Sequence, residues 1–490
     1  MSGDAVSVLV RCDRALQRKV RYVFDTLLQA ADLPARQVES VPDAGPWIDY
    51  GSSPHEDYRR HPGLFVAHDP AAWRFLDGDV LPERAETVHG LPLVFAPRRD
   101  ADRAPFGAGG ISFDLAANAF YFLSSWAERR GDEAARATRR SYATSEFSRL
   151  NIPQDIVDRY LLCLIDHLNG HIGPRSNGQA ARRPSVVWPG GKSFAVALSH
   201  DVDFLPERPL DNAVQGAKTV LRHLIRHRDP ADAWRAGRGW VSAAIAGRDP
   251  YGCVPEIIDV ERRMGLRSSF QVAVGRRHAD DVNYDIADDR TRDYLCAITD
   301  AGFDLCLHGS IRSTEHVAWY VEEAELLGRR LQQPLGSRQH YLSFDYDRLF
   351  TAQEAAGIRY DMSMGYADRP GARAGFSYPY FPYNLRDDRP YRVLQISLFL
   401  MDVTLRGYMG LRPSVARAVI DACLSDLRDK GGCASVVWHP IVFGGARDPG
   451  YDTLYYEMVT RVGEWGGLAT DGRTLHDFWR ARAAAYASFQ

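Results

Sequence analysis

From about residue 192 onward, short apolar runs alternate with longer stretches whose apolar positions recur three and four residues apart. That is the pattern of βα units around a parallel sheet. The runs Ser193–Ser199, Ser268–Val274, Phe303–Leu307, Gly336–Leu342, Ile358–Met362, Val393–Leu400 and Ala434–Trp438 predict about seven strands. Seven lies between an open sheet and a full eight-stranded barrel. Between them the spacing predicts a helix over Thr314–Gln332, with Ser313 as N-cap and Glu315 in its first turn, and another over Ser414–Lys430 that stops at Gly431. The segment Gly173–Gly191 is rich in Gly, Pro, Arg and Ser and lacks an apolar period at its start, which marks a linker. Ahead of it, Asp114–Arg129 and Pro153–Leu168 space their apolar residues as amphipathic helices do. The expected organisation is a smaller mixed α/β module over 1–172, a linker over 173–191 and an α/β barrel over 192–490.

The first of these strands runs into Ser199-His200-Asp201-Val202-Asp203. In parallel βα folds active sites sit at the strand ends where the βα loops converge. If the strand continues, alternation points Asp201 and Asp203 the same way, and two carboxylates side by side call for a cation or a shared proton. The third strand delivers Leu307-His308-Gly309-Ser310 and the seventh delivers His439-Pro440. Two histidines and a D-x-D at strand ends suit metal-assisted hydrolysis, although a lone histidine is more often structural. Arg338, in Gly336-Ser337-Arg338-Gln339-His340-Tyr341, offers a fixed positive charge for a carboxylate. In the N-terminal module, His68, His89 and Asp114 read as surface or capping residues.

Composition narrows the partners. The 45% apolar and 25% charged fractions are those of an average soluble protein, and a net charge of −3 gives no global pull toward nucleic acid or anionic membrane. The first twenty residues hold no secretory h-region, and no run reaches the roughly 18–20 apolar residues of a spanning helix, so the cytoplasm is the expected compartment. Seven scattered cysteines without a C-x-x-C pair argue against a disulfide framework or a zinc knuckle.

The order D-x-D, H-G-S, R-Q-H-Y and W-H-P, after a W-P-G-G-K lead-in, resembles the polysaccharide deacetylases, carbohydrate esterases with the NodB-homology fold. The resemblance covers Val187 to residue 490 and implies a distorted seven-stranded (β/α) barrel. It also implies a metal-dependent removal of acetyl groups from an N-acetylated amino sugar in a glycan or glycolipid. Carried over, Asp201 becomes the general base, Asp203 and His308 metal ligands and His439 the general acid. Arg338 orients the base, and the backbone N–H of Tyr341 faces the oxyanion. Asp361 matches a carboxylate supporting that arginine. The implied cofactor is a divalent metal, zinc first, with cobalt, manganese or nickel as alternatives. The sequence departs from the family where a second metal histidine is expected four residues after His308, because Arg312 stands there and a guanidinium stays protonated. His340, His316 and His200 are the substitutes, with His340 preferred because it leaves a neighbouring strand end. Without a substitute the chain would be a carbohydrate-binding barrel.

Three further features bear on substrate. Phe204–Asp249 is a long insertion containing a basic helix, read as a solvated face or as one wall of an acidic-substrate site. The loop Tyr378–Tyr383 (YPYFPY) offers aromatic faces that could line a sugar site, Tyr378 among them. Asp402 follows the sixth strand and could contact substrate; with Asp201 it, or Asp361, could also form a glycoside hydrolase pair.

Overall fold

The computed structural model of the 490-residue chain describes residues 5–59, 63–97, 110–130, 141–172, 186–205, 209–225, 228, 230–245, 253–444 and 447–487. Most of the expected linker, 173–185, lies outside the described residues.

The N-terminal module is a five-stranded sheet of β1 (Val6–Val10), β2 (Ala35–Val38), β3 (Trp47–Gly51), β4 (Leu64–Ala67) and β5 (Gly110–Ile111), in the order β2-β1-β3-β4-β5. Every pairing in it is parallel. β1 and β3 are buried along their whole length, as central parallel strands are when helices cover both faces. The helices include α1 (Arg14–Ala30), α2 (Leu115–Leu123) and α3 (Ile156–Ile172).

The second sheet contains β6 (Ala195–Val202), β7 (Ser269–Val272), β8 (Asp304–Gly309), β9 (Gly336–Gln339), β10 (Tyr360–Asp361), β11 (Leu394–Gln395), β12 (Leu398–Met401) and β13 (Cys433–Val437). Their order is β11-β10-β9-β8-β7-β6-β13-β12, all parallel, and β14 (Leu468–Thr470) pairs with the first half of β6. The two ends of this order are joined by Ile396 and Ser397 alone. Ile396 N–H donates to Asp361 O at 2.9 Å, and Ser435 N–H donates to Ser397 O at 2.7 Å. One bent run, 394–401, therefore pairs with β10 at its start and β13 at its end, and the sheet closes as a distorted barrel.

The outer elements are α4 (Pro209–Ile225), α5 (Pro230–Ile245), α6 (Val254–Arg263), α7 (Asp289–Asp300), α8 (Val317–Arg330), α9 (Tyr346–Ala355), α10 (Pro413–Lys430), α11 (Tyr451–Glu464) and α12 (Gly472–Ala487). The basic helix expected in the insertion is α4, and a second helix, α5, packs closely on it where Gly216 lies against the Trp240 ring. α10 stops at Gly431, whose φ of 70° is the left-handed cap glycine permits. The helix expected from Thr314 starts later, at Val317. Ser313–Glu315 forms its own 3₁₀ turn, and Ser313 Oγ donates back to Ser310 O at 2.8 Å instead of capping α8. No described helix is long and apolar enough to cross a membrane.

One apolar core runs across the junction of the two sheets. It joins Phe24, Phe120 and Tyr160 of the N-terminal module to Phe376, Tyr378, Tyr380, Tyr383 and Trp479. Arg373 forks onto Glu128 with both contacts at 2.9 Å, and Asp158 on α3 accepts from Ser377 N–H at 2.8 Å and Ser377 Oγ at 2.6 Å. The YPYFPY loop thus packs between the modules. Tyr378, expected to line a sugar site, is 1% exposed and donates to Lys430 O at 2.5 Å; its ring fills core.

Candidate metal centre

The site is built from alternation. In β6, Val196, Leu198 and His200 face outward into the helix layer, which turns Asp201 to the barrel interior. His200 is consequently not a ligand. Its Nε2 faces Glu261 at 3.1 Å and its Nδ1 faces Trp438 O at 2.7 Å, both outside the barrel. β8 brings His308 level with Arg338 of β9. Gly309 then has no room for a side chain, since a Cβ there would stand 2.5 Å from Gln339 Oε1. β9 stops at Gln339, short of the expected Leu342, and the chain turns sharply through His340–Leu342 with Tyr341 and Leu342 at φ 56° and 52°. That turn aims His340 back over the strand ends.

Asp203, His308 and His340 present ligand atoms all within 4.8 Å of one another. Asp203 Oδ1 lies 3.3 Å from His308 Nε2 and 3.5 Å from His340 Nε2. Metal–ligand bonds of roughly 2.0–2.2 Å at tetrahedral angles give ligand edges of about 3.3–3.6 Å, so the two edges from Asp203 match those around one small divalent ion, and the third is no longer than 4.8 Å. The far nitrogens are already used. His308 Nδ1 donates to Arg338 O at 3.0 Å, a carbonyl that can only accept, and His340 Nδ1 stands 3.3 Å from Asp281 Oδ1. Both Nε2 atoms are thereby turned toward Asp203, the usual support of a metal histidine. Asp203 Oδ1 is buried and has no hydrogen-bond partner of good geometry among the described residues, as expected of an oxygen meant for a cation. Burial opposes its ionisation, but His340, the His308 contact and His439 outweigh that and hold its pKa well below the usual carboxylate range. Burial likewise pulls His308 down, while Asp201 and Asp203 raise it above the usual imidazole value.

Two further pairs flank this trio. Arg338, 1% exposed, donates from Nη1 to Asp201 Oδ1 at 2.6 Å and from Nε to Met362 O at 2.9 Å. On the other side His439 Nδ1 meets Asp402 Oδ1 at 2.6 Å, and His439 Nε2 lies 3.6 Å from Asp203 Oδ2. Burial favours neutral His439, but Asp402 and then Asp203 and Asp201 raise its pKa to about 9, leaving it protonated at neutral pH.

Several expected residues stand elsewhere. Asp361 makes no hydrogen bond to Arg338; its carboxylate accepts from Ser363 N–H, Ser363 Oγ and Gln353 Nε2 at 2.6–2.7 Å inside the barrel. Asp402 serves His439 and Arg406 and is fully buried, so substrate contact by its carboxylate is replaced by support of His439. Arg312 points away and pairs with Glu315 at 2.9 and 2.8 Å. His316 is exposed beside Trp319. Sequence reasoning missed Asp281, which lies in an irregular loop after β7 and whose only signal is a place beyond a strand end.

A cavity of about 370 Å³ opens over the site, lined by Asp201, Asp203, His340, Tyr341 and His439 and, along one wall, by Arg222, Arg406, Arg447 and Asp448. The parallel barrel, with its site at the strand ends, places the C-terminal part in the α/β barrel class. No protein-family model matches the chain, and no curated protein matches it. Among solved structures the chain is similar to a Mycobacterium smegmatis protein assigned as a polysaccharide deacetylase, at 18% identity over 61% of this chain and 94% of that one, with a TM-score of 0.41. It is also similar to Puue allantoinase (15% identity, 63% and 98% covered, TM-score 0.40) and to a Pseudomonas aeruginosa protein assigned as a polysaccharide deacetylase (14%, 63% and 98%, 0.40).

Proposed function

We propose that this protein is a metal-dependent hydrolase that removes an acetyl group from an N-acetylated amino sugar. The observation that carries this reading is the Asp203–His308–His340 trio, with both imidazoles anchored through Nδ1, set between an Asp–Arg pair and an Asp–His pair. His340 supplies the nitrogen donor that Arg312 cannot. Asp203, His308 and His340 would hold a divalent ion such as zinc, cobalt, manganese or nickel, which when bound would supply Lewis-acid polarisation of the amide carbonyl and acidify a water. Asp201, fixed by Arg338, takes the proton of the attacking water. The Tyr341 backbone N–H faces the developing oxyanion. His439, held by Asp402 with a proton on each nitrogen, gives its Nε2 proton to the departing amine. The C–N bond breaks, and acetate and a free amino sugar leave. Neither Asp361 nor Asp402 is free to act as the second carboxylate of a glycosidase, which weighs against that chemistry.

The test is metal content by elemental analysis, together with acetate release from N-acetylated oligosaccharides, for wild type and for Asp203→Ala, His308→Ala and His340→Ala. Near-stoichiometric metal and acetate release in wild type, both lost in each variant, are expected. Wild-type protein that stays metal-free after reconstitution overturns the reading.

A further inference from the structure

Part of the cavity lining is cationic, formed by Arg222, Arg406 and Arg447 around Asp448. Arg406 Nη1 meets Asp448 Oδ2 at 2.7 Å, Arg222 Nη2 lies 3.5 Å from Asp448 Oδ1, and Arg447 Nε lies 3.8 Å from Asp448 Oδ2. Three guanidinium groups from three separate segments therefore converge on one carboxylate. Asp402 also faces Arg406, at 3.4 Å through Oδ2, but its Oδ1 is engaged by His439 Nδ1 at 2.6 Å. Like charges gathered this closely in a partly dry cleft repel one another unless an anion relieves them. Two observations agree that relief is incomplete. Arg222 Nε is buried and has no hydrogen-bond partner among the described residues. Burial, and after it Arg406, lowers the Arg447 pKa.

Neither Arg222 nor Arg447 has a part in holding the metal, the base or the acid, and Arg406 reaches the acid's partner Asp402 only through its Oδ2, at 3.4 Å. Arg222 comes from α4, part of the insertion that reaches over the barrel mouth. A guanidinium fork matches the oxygens of phosphate and carboxylate, and several forks around one cavity wall make a site for such a group. We propose that Arg222, Arg406 and Arg447 form an anion subsite, so that the substrate is an amino sugar carrying a phosphate or carboxylate within one cavity's reach of its N-acetyl group. The assignment names the substrate class of the deacetylase reading above and rests on it. Asp448 spaces the arginines and gives up part of its pairing when the substrate anion arrives.

The test reads binding without turnover. Full-length protein, stripped of metal, is titrated calorimetrically with N-acetylglucosamine, N-acetylglucosamine 6-phosphate and N-acetylmuramic acid at low and high salt. At least one anionic sugar should bind about tenfold or more tightly than the neutral one, with the advantage shrinking at high salt. The phosphate and carboxylate arms tell which anion the wall takes. Arg222→Gln and Arg447→Gln should each remove most of the advantage while leaving metal uptake, measured separately, at the wild-type level. Arg222 sits on a peripheral helix, so its variant keeps the test valid should Arg447→Gln fold poorly. Equal or absent binding of the three sugars by wild type, or an anion preference that survives both substitutions, overturns the subsite. Failure to release acetate, with the preference intact, overturns the reaction and spares the subsite.

Discussion

His340 is useful only if its Nε2 lone pair faces Asp203, and that depends on Asp281. The carboxylate of Asp281 is itself fixed by three backbone N–H groups, those of Ile311 at 2.9 Å, Arg277 at 2.8 Å and His278 at 2.6 Å. Burial raises its pKa, but the His340 contact and those N–H groups outweigh burial and keep it low, so it stays an acceptor. Asp281→Ala should let the His340 ring turn and weaken metal binding by roughly 10- to 100-fold, with Asp203 and His308 untouched. Competition against a chelator of known affinity measures the change. Wild-type affinity in the variant would show that the tight turn alone holds His340.

At the level of elements, the junction between α3 and the barrel contains a carboxyl buried at a cost. Asp158 is pushed up to about 6 by burial, which outweighs Lys430 and the two Ser377 hydrogen bonds. The folded state therefore binds the Asp158 proton more tightly than the unfolded chain, whose value is near 3.9. Its contribution to stability falls as pH rises from about 4 through 6 and stays low above that. Asp158→Asn cannot lose a proton, so relative to wild type it should gain about 1–3 kcal/mol between pH 4 and pH 7. Urea unfolding of both proteins at the two pH values checks this, and parallel profiles would contradict it. Most strands that build the site are legible in the chain because they are short apolar runs, Gly336–Gln339 (GSRQ) being the polar exception, and Asp201, His308 and His439 are legible because each lies within two residues of the end of such a run. Period-two alternation also separates Asp201 from His200. The arginine wall is not legible, because α4, the turn after β12 and the loop before α11 meet only in three dimensions. Tyr378 shows the converse: an aromatic, proline-punctuated loop has the same composition whether it faces a sugar or a second sheet.

For the molecule as a whole, the core that joins the two sheets means that the barrel is not a bead on a string. A fragment covering 192–490 would expose Phe376, Tyr380, Tyr383 and Trp479, all buried in the intact chain. Exposed apolar patches of that kind promote association. The fragment should aggregate or bind a hydrophobic dye strongly while the intact protein does neither, and a monomeric, dye-silent fragment would falsify the shared-core account. Barrel closure has another consequence, for synthesis on the ribosome. β6 pairs along one side with β13, and beside its first half with β14, which lie more than 230 residues downstream. At roughly 5–20 residues per second, about 12–50 s separate the emergence of these strands. Throughout that interval the segment carrying Asp201 and Asp203 has no neighbour on its β13 side. The N-terminal sheet, whose strands all lie within the first 111 residues, has by then had time to assemble and offer the growing barrel a surface to fold against.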